Sequence, residues 1–170
     1  MTEPDAVPAG ERRSVAGWEG RFLEDFVVGD IYRHAHGRTI TQTDNTWFTL
    51  LTNNTHDVHF NADYASRTEF GKPLVVSTLT LAIVTGLSVE DVSRNAVANL
   101  GWDQVRLPAP VFAGDTIYAE SEVLEVRPSM SRPGQGIVRV RTRGFNQNDV
   151  TVLEFERSVL VYTRSNRPGA

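Results

Sequence analysis

Residues 77–87 form a segment that is apolar on almost every side, reading Ser-Thr-Leu-Thr-Leu-Ala-Ile-Val-Thr-Gly-Leu. A helix with apolar residues around most of its circumference is typical of a buried position rather than of a protein surface. Ser77 and Thr78 are each suited to cap the N-terminus of this helix. The segment therefore predicts a helix that the rest of the chain must enclose.

Four alternating or β-branched runs follow this helix, at residues 102–107, 116–126, 137–145 and 150–162. Stretches rich in Pro, Gly, Asn and Asp separate them, which is typical of turns between antiparallel strands. Helices in the first half and consecutive strands in the second half indicate an α+β fold. One face of such a sheet needs an apolar cover, and the helix at 77–87 is the segment that can supply it.

The first half of the chain contains a second helix signal. Thr41 and Asp44 form a capping box, in which each side chain binds a backbone N–H near the helix start. The following Trp47, Phe48 and Leu51 fall on one helical face, so we expect that face to be buried. The helix is expected to end at Asn53. Residues 31–40 predict a strand broken by a glycine, and residues 60–64 predict a helical turn.

Composition narrows the class of protein. The chain has 170 residues, enough for one domain with a full core, and its net charge of -4 argues against a protein that binds nucleic acid. The absence of cysteine excludes disulfides and thiolate chemistry. No apolar run is long enough to cross a membrane, and we expect a cytoplasmic location. We divide the chain into a flexible arm at 1–20, a single domain at 21–164 and a tail at 165–170.

Polar and titratable side chains are concentrated at residues 52–59, which read Thr-Asn-Asn-Thr-His-Asp-Val-His directly after the helix that begins at Thr41. Taken alone, this cluster fits an ordinary polar surface loop as well as it fits an active site. The His-x-His spacing of His34 and His36 and the His-x-x-His spacing of His56 and His59 are also compatible with a metal site. We predict no metal, because zinc sites usually require a firmer pattern of ligands.

The chain resembles the MaoC-like, or R-specific, enoyl-CoA hydratases. Their signature is Ser/Thr-Gly-Asp-x-Asn-Pro-(apolar)-His after a capped helix, and residues 52–59 match it in position. Residues 73–77 before the apolar helix and residues 105–116 also fit, so the resemblance covers roughly residues 22–163. It implies a hot-dog fold, in which a long antiparallel sheet wraps a central helix. It also implies a homodimer or a larger dimer-based assembly, an acyl-CoA thioester as substrate, and no cofactor.

Three departures from the signature bear on the chemistry. Asn54 occupies the position of the family's catalytic Asp, His56-Asp57 replaces Asn-Pro, and Ser77 replaces a glycine at the head of the central helix. His59 matches outright. The pattern around Asn54 is similar to the branch of the family that hydrates branched dicarboxylic thioesters such as mesaconyl- or itaconyl-CoA.

The resemblance assigns a role to each matching residue. Histidine has a reference pKa near ~6.5 and can transfer protons at neutral pH; His59 is therefore predicted to be the acid/base. Asn54 cannot act as a base but can orient the attacking water. The backbone N–H groups of Ser77 and Thr78, at the positive end of the helix dipole, are expected to stabilise the enolate oxygen.

An amide in place of a carboxylate removes a negative charge from the site, which suits a substrate that brings its own carboxylate. The candidates to bind that group are His34, His36, Arg38, His56 and Arg67, and Asp57 is predicted to lie in the same pocket. Two alternatives stay open. A hot-dog thioesterase would use the same pocket but direct water at the carbonyl carbon. A non-catalytic acyl-CoA-binding domain is consistent with the missing carboxylate.

Overall fold

The computed structural model describes residue 15 and residues 17–168, so most of the predicted arm and the last two residues of the predicted tail lie outside the described residues. Six strands and three α-helices make up the described part of the domain. The helices are α1 (Gln42–Thr52), α2 (Ala62–Ser66) and α3 (Ser77–Leu87). The strands are β1 (Ile31–Arg33), β2 (Arg38–Thr39), β3 (Ala96–Arg106), β4 (Thr116–Pro128), β5 (Gln135–Phe145) and β6 (Thr151–Tyr162).

The strands form one antiparallel sheet in the order β1-β4-β5-β6-β3, with β2 pairing separately with β4. The predicted α+β class is confirmed, and β4, β5 and β6 begin and end within a few residues of their predicted bounds. β3 starts at Ala96, well before the predicted position. The predicted strand at 31–40 is reduced to two short pieces, and the predicted turn at 60–64 is displaced to α2.

Helix α3 has the predicted bounds and lies against β4, β5 and β6. Leu79, Thr80 and Val84 are its buried residues. Its approach to the sheet is close enough to require a glycine, because a Cβ on Gly144 would lie 2.5 Å from Cγ2 of Val84. No helix among the described residues is long and apolar enough to cross a membrane.

The predicted cap of α3 is wrong. The N-cap residue is Val76, which offers no side-chain hydrogen bond, and both Ser77 and Thr78 are already helical and exposed. A serine in the first helical position cannot act as the cap, because the capping side chain belongs to the residue before it. The first turn of the central helix is consequently left without a side-chain cap.

Helix α1 begins with the predicted capping box, in which Thr41 and Asp44 bind each other's backbone N–H groups. It ends at Asn53, whose left-handed backbone (φ 54°, ψ 34°) turns the chain into the polar segment that follows. The predicted buried face is correct only for Phe48, which is partly buried against the apolar core, because Trp47 is 62% exposed and Leu51 is 78% exposed. The helix instead buries Asn45 and Thr49, because its inner side meets backbone groups that need polar partners.

Buried side chains form two apolar clusters on the inner face of the sheet, one around α3 and one around Phe26 and Val92. On β4, Ala119 belongs to the first cluster and Val123 to the second, and the buried Ser121 stands between them in sequence. Thr142 on β5 pairs directly with Ser121, and the buried Arg157 on β6 stands in sequence between Phe155 of the first cluster and Val159 of the second. A buried polar layer therefore separates the two halves of the core.

Candidate active site

His59 ends a 3-10 turn, Asp57–His59, and its side chain is largely buried. Its Nδ1 lies 2.8 Å from the carbonyl oxygen of Leu74. A carbonyl oxygen can only accept a hydrogen bond, so Nδ1 must carry the proton. In the neutral ring Nε2 then has a free lone pair, so this nitrogen is able to accept a proton.

The turn that presents His59 is anchored to α1. The carbonyl oxygen of His59 accepts hydrogen bonds from Nδ2 of Asn45, at 2.8 Å, and from Nε2 of Gln42, at 2.9 Å. At the start of the turn, Nδ1 of His56 accepts the backbone N–H of Val58 at 3.1 Å. His56 is therefore protonated on Nε2 when neutral, the opposite tautomer to His59. The two rings are neighbours, with centroids 5.8 Å apart.

Asn54 follows directly after α1 and is half-buried. Its Oδ1 accepts the backbone N–H of His56 at 3.1 Å, which fixes the amide orientation. Within residues 17–168, no protein acceptor lies within hydrogen-bonding distance of its Nδ2. Asn54 also lines a small cavity of about 190 Å³ with Leu50 and Phe60. Its free amide hydrogens are thus available to a small polar molecule such as water.

The N-terminus of α3 lies on the other side of Leu74. The backbone N–H of Val76 is bound by Oδ1 of Asn45 at 2.9 Å. In the described part of the chain, the N–H groups of Ser77 and Thr78 find no acceptor, because they precede the first intrahelical bonds and the helix has no side-chain cap. These two donors stand at the positive end of the helix dipole and suit an anionic oxygen.

A cleft of about 260 Å³ opens beside these donors. Leu74, Val75 and Ser77 contribute to its wall, with Phe70 and the segment 107–111 opposite. Most of this lining is apolar, which suits the acyl part of a ligand more than a phosphate or a sugar. His59 does not itself line this cleft but is bonded to its wall through the carbonyl of Leu74, and Asn54 lines the separate cavity described above.

Other predicted pocket residues are engaged within the chain. Arg38 and Arg67 each pair with a nearby carboxylate, Asp44 at 2.8 Å and Asp63 at 2.5 Å. Asp57 is exposed and accepts a long hydrogen bond from Asn61. Of the predicted pocket set, the structure therefore places His56 and Asp57 in the turn that carries His59, and it gives both arginines carboxylate partners outside that turn.

His34 lies apart from this group, in the buried polar layer. Its Nδ1 is 2.8 Å from Oδ2 of Asp91, and its Nε2 is 2.9 Å from Oγ of Ser121. Burial lowers the pKa of His34, although the bond to Asp91 opposes this change. Burial raises the pKa of Asp91, but hydrogen bonds from His34 and Arg21 outweigh it, so the pKa of this carboxyl is lowered.

The Asp91–His34–Ser121 order resembles a nucleophilic triad, but Ser121 is fully buried and its hydroxyl is also bound to Thr142 at 2.8 Å. A substrate carbonyl cannot reach that oxygen, so the arrangement is structural. Arg157 belongs to the same layer, and burial lowers its pKa to about 10. No cluster of three or more potential metal ligands occurs among residues 17–168.

Sequence reasoning missed Asn45 and Gln42, which hold the His59 turn. Asn45 is completely buried, and its Nδ2 also donates to the carbonyl of Leu74 at 3.0 Å. The available signal was its spacing: Asn45 and Thr49 are one turn apart and define a polar inner face of α1. The more hydrophobic Trp47 and Leu51 obscured that signal.

A family model and several known proteins match this chain. The family model for mesaconyl-CoA hydratase matches residues 1–168. A mesaconyl-CoA hydratase from Cereibacter sphaeroides is 37% identical over 151 residues, covering 89% of this chain and 44% of that protein. A beta-methylmalyl-CoA dehydratase from Chloroflexus aurantiacus is 37% identical over 88% of this chain and 43% of its own length. The chain thus spans less than half the length of these relatives.

Solved structures agree on the fold. A MaoC domain dehydratase from Chloroflexus aurantiacus superposes with a TM-score of 0.84 and 35% identity, over 92% of this chain and 45% of that one. A Mycobacterium tuberculosis protein described as having a double hotdogfold gives a TM-score of 0.78 at 23% identity, over 89% of this chain and 47% of that one, which bears on the fold alone. The predicted hot-dog fold and the resemblance to MaoC-like proteins are confirmed.

Proposed function

The chain belongs to the mesaconyl-CoA hydratase family, and from this membership we propose that it adds water reversibly across the α,β double bond of a short, branched, dicarboxylic enoyl-CoA. The observation that carries the proposal is the pairing of two features at Leu74. The carbonyl of Leu74 fixes His59 with Nε2 free, and the uncapped N–H groups of α3 begin three residues later, at Ser77. The oxyanion site thus lines an apolar cleft, and the base is bonded to the wall of that cleft at Leu74.

Hydration needs a base for the water, an acid for the α-carbon and a site for the enolate oxygen. Nε2 of His59 takes a proton from water as the water oxygen bonds to the β-carbon. The π electrons move to the thioester oxygen, which the Ser77 and Thr78 N–H groups stabilise as an enolate. The proton held on Nε2 then passes to the α-carbon. The sum is thioester plus water, with no net oxidation or reduction, so no redox cofactor is consumed.

Asn54 supports this scheme by holding the water. Its Oδ1 already accepts the backbone N–H of His56. The Nδ2 hydrogens therefore donate to a lone pair of the water and orient it. The substrate's own carboxylate finds no carboxylate at position 54 to repel it. We assign the exposed Nε2–H of His56 as the donor to this substrate carboxylate. The ring is held in place because its Nδ1 accepts the backbone N–H of Val58.

The proposal is tested by mixing the purified protein with crotonyl-, mesaconyl- and itaconyl-CoA and following the absorbance of the conjugated thioester. We expect turnover of a dicarboxylic thioester, with a higher kcat/KM than for crotonyl-CoA, and no release of free thiol. Release of free CoA would instead identify a thioesterase. Ligand binding that raises Tm with no turnover of any of the three would identify a non-catalytic binding domain.

Replacing Asn54 with Asp is expected to reduce the preference for dicarboxylic over plain enoyl-CoA substrates. Unit charges about 8 Å apart at an effective dielectric of about 20 repel by roughly 2 kcal/mol, so the ratio of kcat/KM values should fall at least about tenfold. The matched control is Asn148→Asp, which adds the same charge in an exposed turn. An unchanged ratio in Asn54→Asp would show that this position does not select substrate charge.

A second hot-dog domain, supplied by a second copy of the chain, is part of the proposal. Support comes from β3, a terminal strand of the sheet on which Leu100, Trp102 and Val105 are 52%, 41% and 41% exposed. Unpaired apolar edge strands are normally covered, and the relatives are about twice as long as this chain. A single-chain mass in light scattering, at concentrations where the enzyme turns over, would contradict the dimer.

We further propose a cytoplasmic location, on the ground that the proposed substrate is an acyl-CoA and the chain lacks cysteine. Fractionation of cells that express the tagged protein tests this. Recovery in the membrane or extracellular fraction would contradict it.

A further inference from the structure

Asn45 joins three parts of the chain at the candidate site, namely α1, which carries it, the turn that contains His59, and the segment 74–76. Its Nδ2 donates to the carbonyl of His59 at 2.8 Å and to the carbonyl of Leu74 at 3.0 Å, and its Oδ1 accepts the N–H of Val76 at 2.9 Å. Only an amide supplies two donors and one acceptor in this arrangement, so the orientation of the side chain is unambiguous. The residue is completely buried on the inner face of α1.

Each of these bonds touches the proposed chemistry. The carbonyl of Leu74 receives both Nδ1–H of His59 and Nδ2–H of Asn45, which together occupy its two lone pairs. The N–H of Val76 is bound to Asn45, so the first free N–H group at the N-terminus of α3 is that of Ser77. A single side chain thereby sets the ring of His59 and the first turn of α3 relative to each other.

We infer that Asn45 is the positioning residue of the site, acting through Leu74 and Val76 to fix the distance between the base and the oxyanion donors. The inference rests on the proposed function and deepens it. Catalysis depends steeply on such distances, because a displacement of about 1 Å can cost ~10²-fold in rate. Asn45 makes no contact with the reacting atoms in this scheme, so its effect is on kcat through the geometry of other residues.

The groups that could confuse a pH measurement are few. His56 faces His59 from the same turn, with ring centroids 5.8 Å apart. On α1, the carboxylate of Asp44 is bound to Thr41 and Arg38. Next to the segment that contains Leu74, the ammonium of Lys72 lies over the ring of Phe112 at 4.3 Å. All of them are retained in the variants proposed below.

Two variants separate positioning from general stability. Asn45→Ser removes both donations without adding charge, and Asn45→Asp keeps the size and the bond to Val76 but places a carboxyl group beside two carbonyls. We expect each to lower kcat by ~10- to 10²-fold while KM changes less. In Asn45→Asp the buried carboxyl beside two carbonyl oxygens takes up a proton, so no charge is added and the acidic limb of the kcat/KM profile should stay where the unmodified chain has it.

The matched control is Thr142→Val, a nearly isosteric change at another fully buried position, which removes a buried side-chain hydrogen bond to Ser121 in the polar layer away from the site. It should retain the kcat and the pH profile of the unmodified chain. Equal losses in Thr142→Val and Asn45→Ser, or an unchanged kcat in both Asn45 variants, would overturn the inference. If Asn45→Asp does not fold, the comparison of Asn45→Ser with Thr142→Val still decides it.

A readout without turnover distinguishes failure of the inference from failure of the proposed function. Imidazole ¹⁵N shifts of the chain, which has four histidines, report the tautomer of His59 directly. We expect Nδ1–H in the unmodified chain and a mixture of tautomers in Asn45→Ser, where the partner carbonyl is no longer held. An unaltered tautomer in Asn45→Ser would overturn the inference even if no thioester were turned over.

Discussion

His59→Ala is expected to lower kcat for thioester hydration by ~10²–10⁴-fold, the range for loss of a positioned acid/base. The ring has one nitrogen committed to Leu74 and one free, so truncation removes the proton acceptor and the proton donor of the same reaction. The measurement is the pre-steady-state and steady-state loss of thioester absorbance in the unmodified chain and in the variant.

A second variant shows whether the loss is chemical. In His59→Asn the amide nitrogen occupies the place of Nδ1 and can still donate to the carbonyl of Leu74, but nothing replaces Nε2. We expect this variant to unfold at nearly the Tm of the unmodified chain and to be as inactive as His59→Ala. Substantial activity in His59→Asn would mean that His59 acts only by supporting the turn, and the proton transfers would then belong to another group.

The sheet was predictable because its pattern is local and periodic. Strands β4 and β5 alternate side chains between a buried and a more exposed face, and the sequence shows that alternation directly. Strand β6 is buried at most positions on both faces, and its β-branched residues indicate it instead. β3 was shortened in the prediction because it is a terminal strand with irregular pairing and many exposed residues, so alternation is weak along residues 96–101. Local pattern therefore predicts strands best where both neighbours are present.

The inner face of α1 was not predictable in the same way. The hydrophobic pattern places Trp47 and Leu51 inward, on the assumption that the chain itself covers its apolar residues. The inner face instead carries Asn45, because the carbonyls of His59 and Leu74 and the N–H of Val76 all require partners there. Sequence alone does not reveal which backbone groups of distant segments will meet, so a polar residue that serves them has no visible pattern.

The candidate site was predictable only in part. His59 and Asn54 were identified through the spacing of the family signature, and Ser77 and Thr78 through their place at the head of an apolar helix. The family resemblance is confirmed, whereas the roles of these four residues stay predictions. His34 was predicted as a pocket residue, yet it directly follows β1 and binds Asp91 and Ser121 in the core.

Ser77→Pro is expected to lower kcat by ~10²–10³-fold, as found when one oxyanion donor is removed. Proline lacks the N–H that we assign to the enolate oxygen, and the first helical position is the one place in a helix where proline is well tolerated. Val76 has φ −60° and ψ 129°, a conformation that a residue before proline readily adopts. The helix should therefore form with one donor missing.

The control for this substitution is Ser77→Ala, which removes the exposed hydroxyl and keeps the N–H. Its kcat should stay close to that of the unmodified chain, so that the loss in Ser77→Pro is assigned to the backbone donor. KM should change little in either variant, since the enolate charge exists in the transition state and not in the bound substrate. Equal kcat values for Ser77→Pro and Ser77→Ala, with α3 intact by circular dichroism, would place the oxyanion elsewhere. Because Thr78 would then be the remaining free donor of this turn, Thr78→Pro would decide whether the helix end takes part at all.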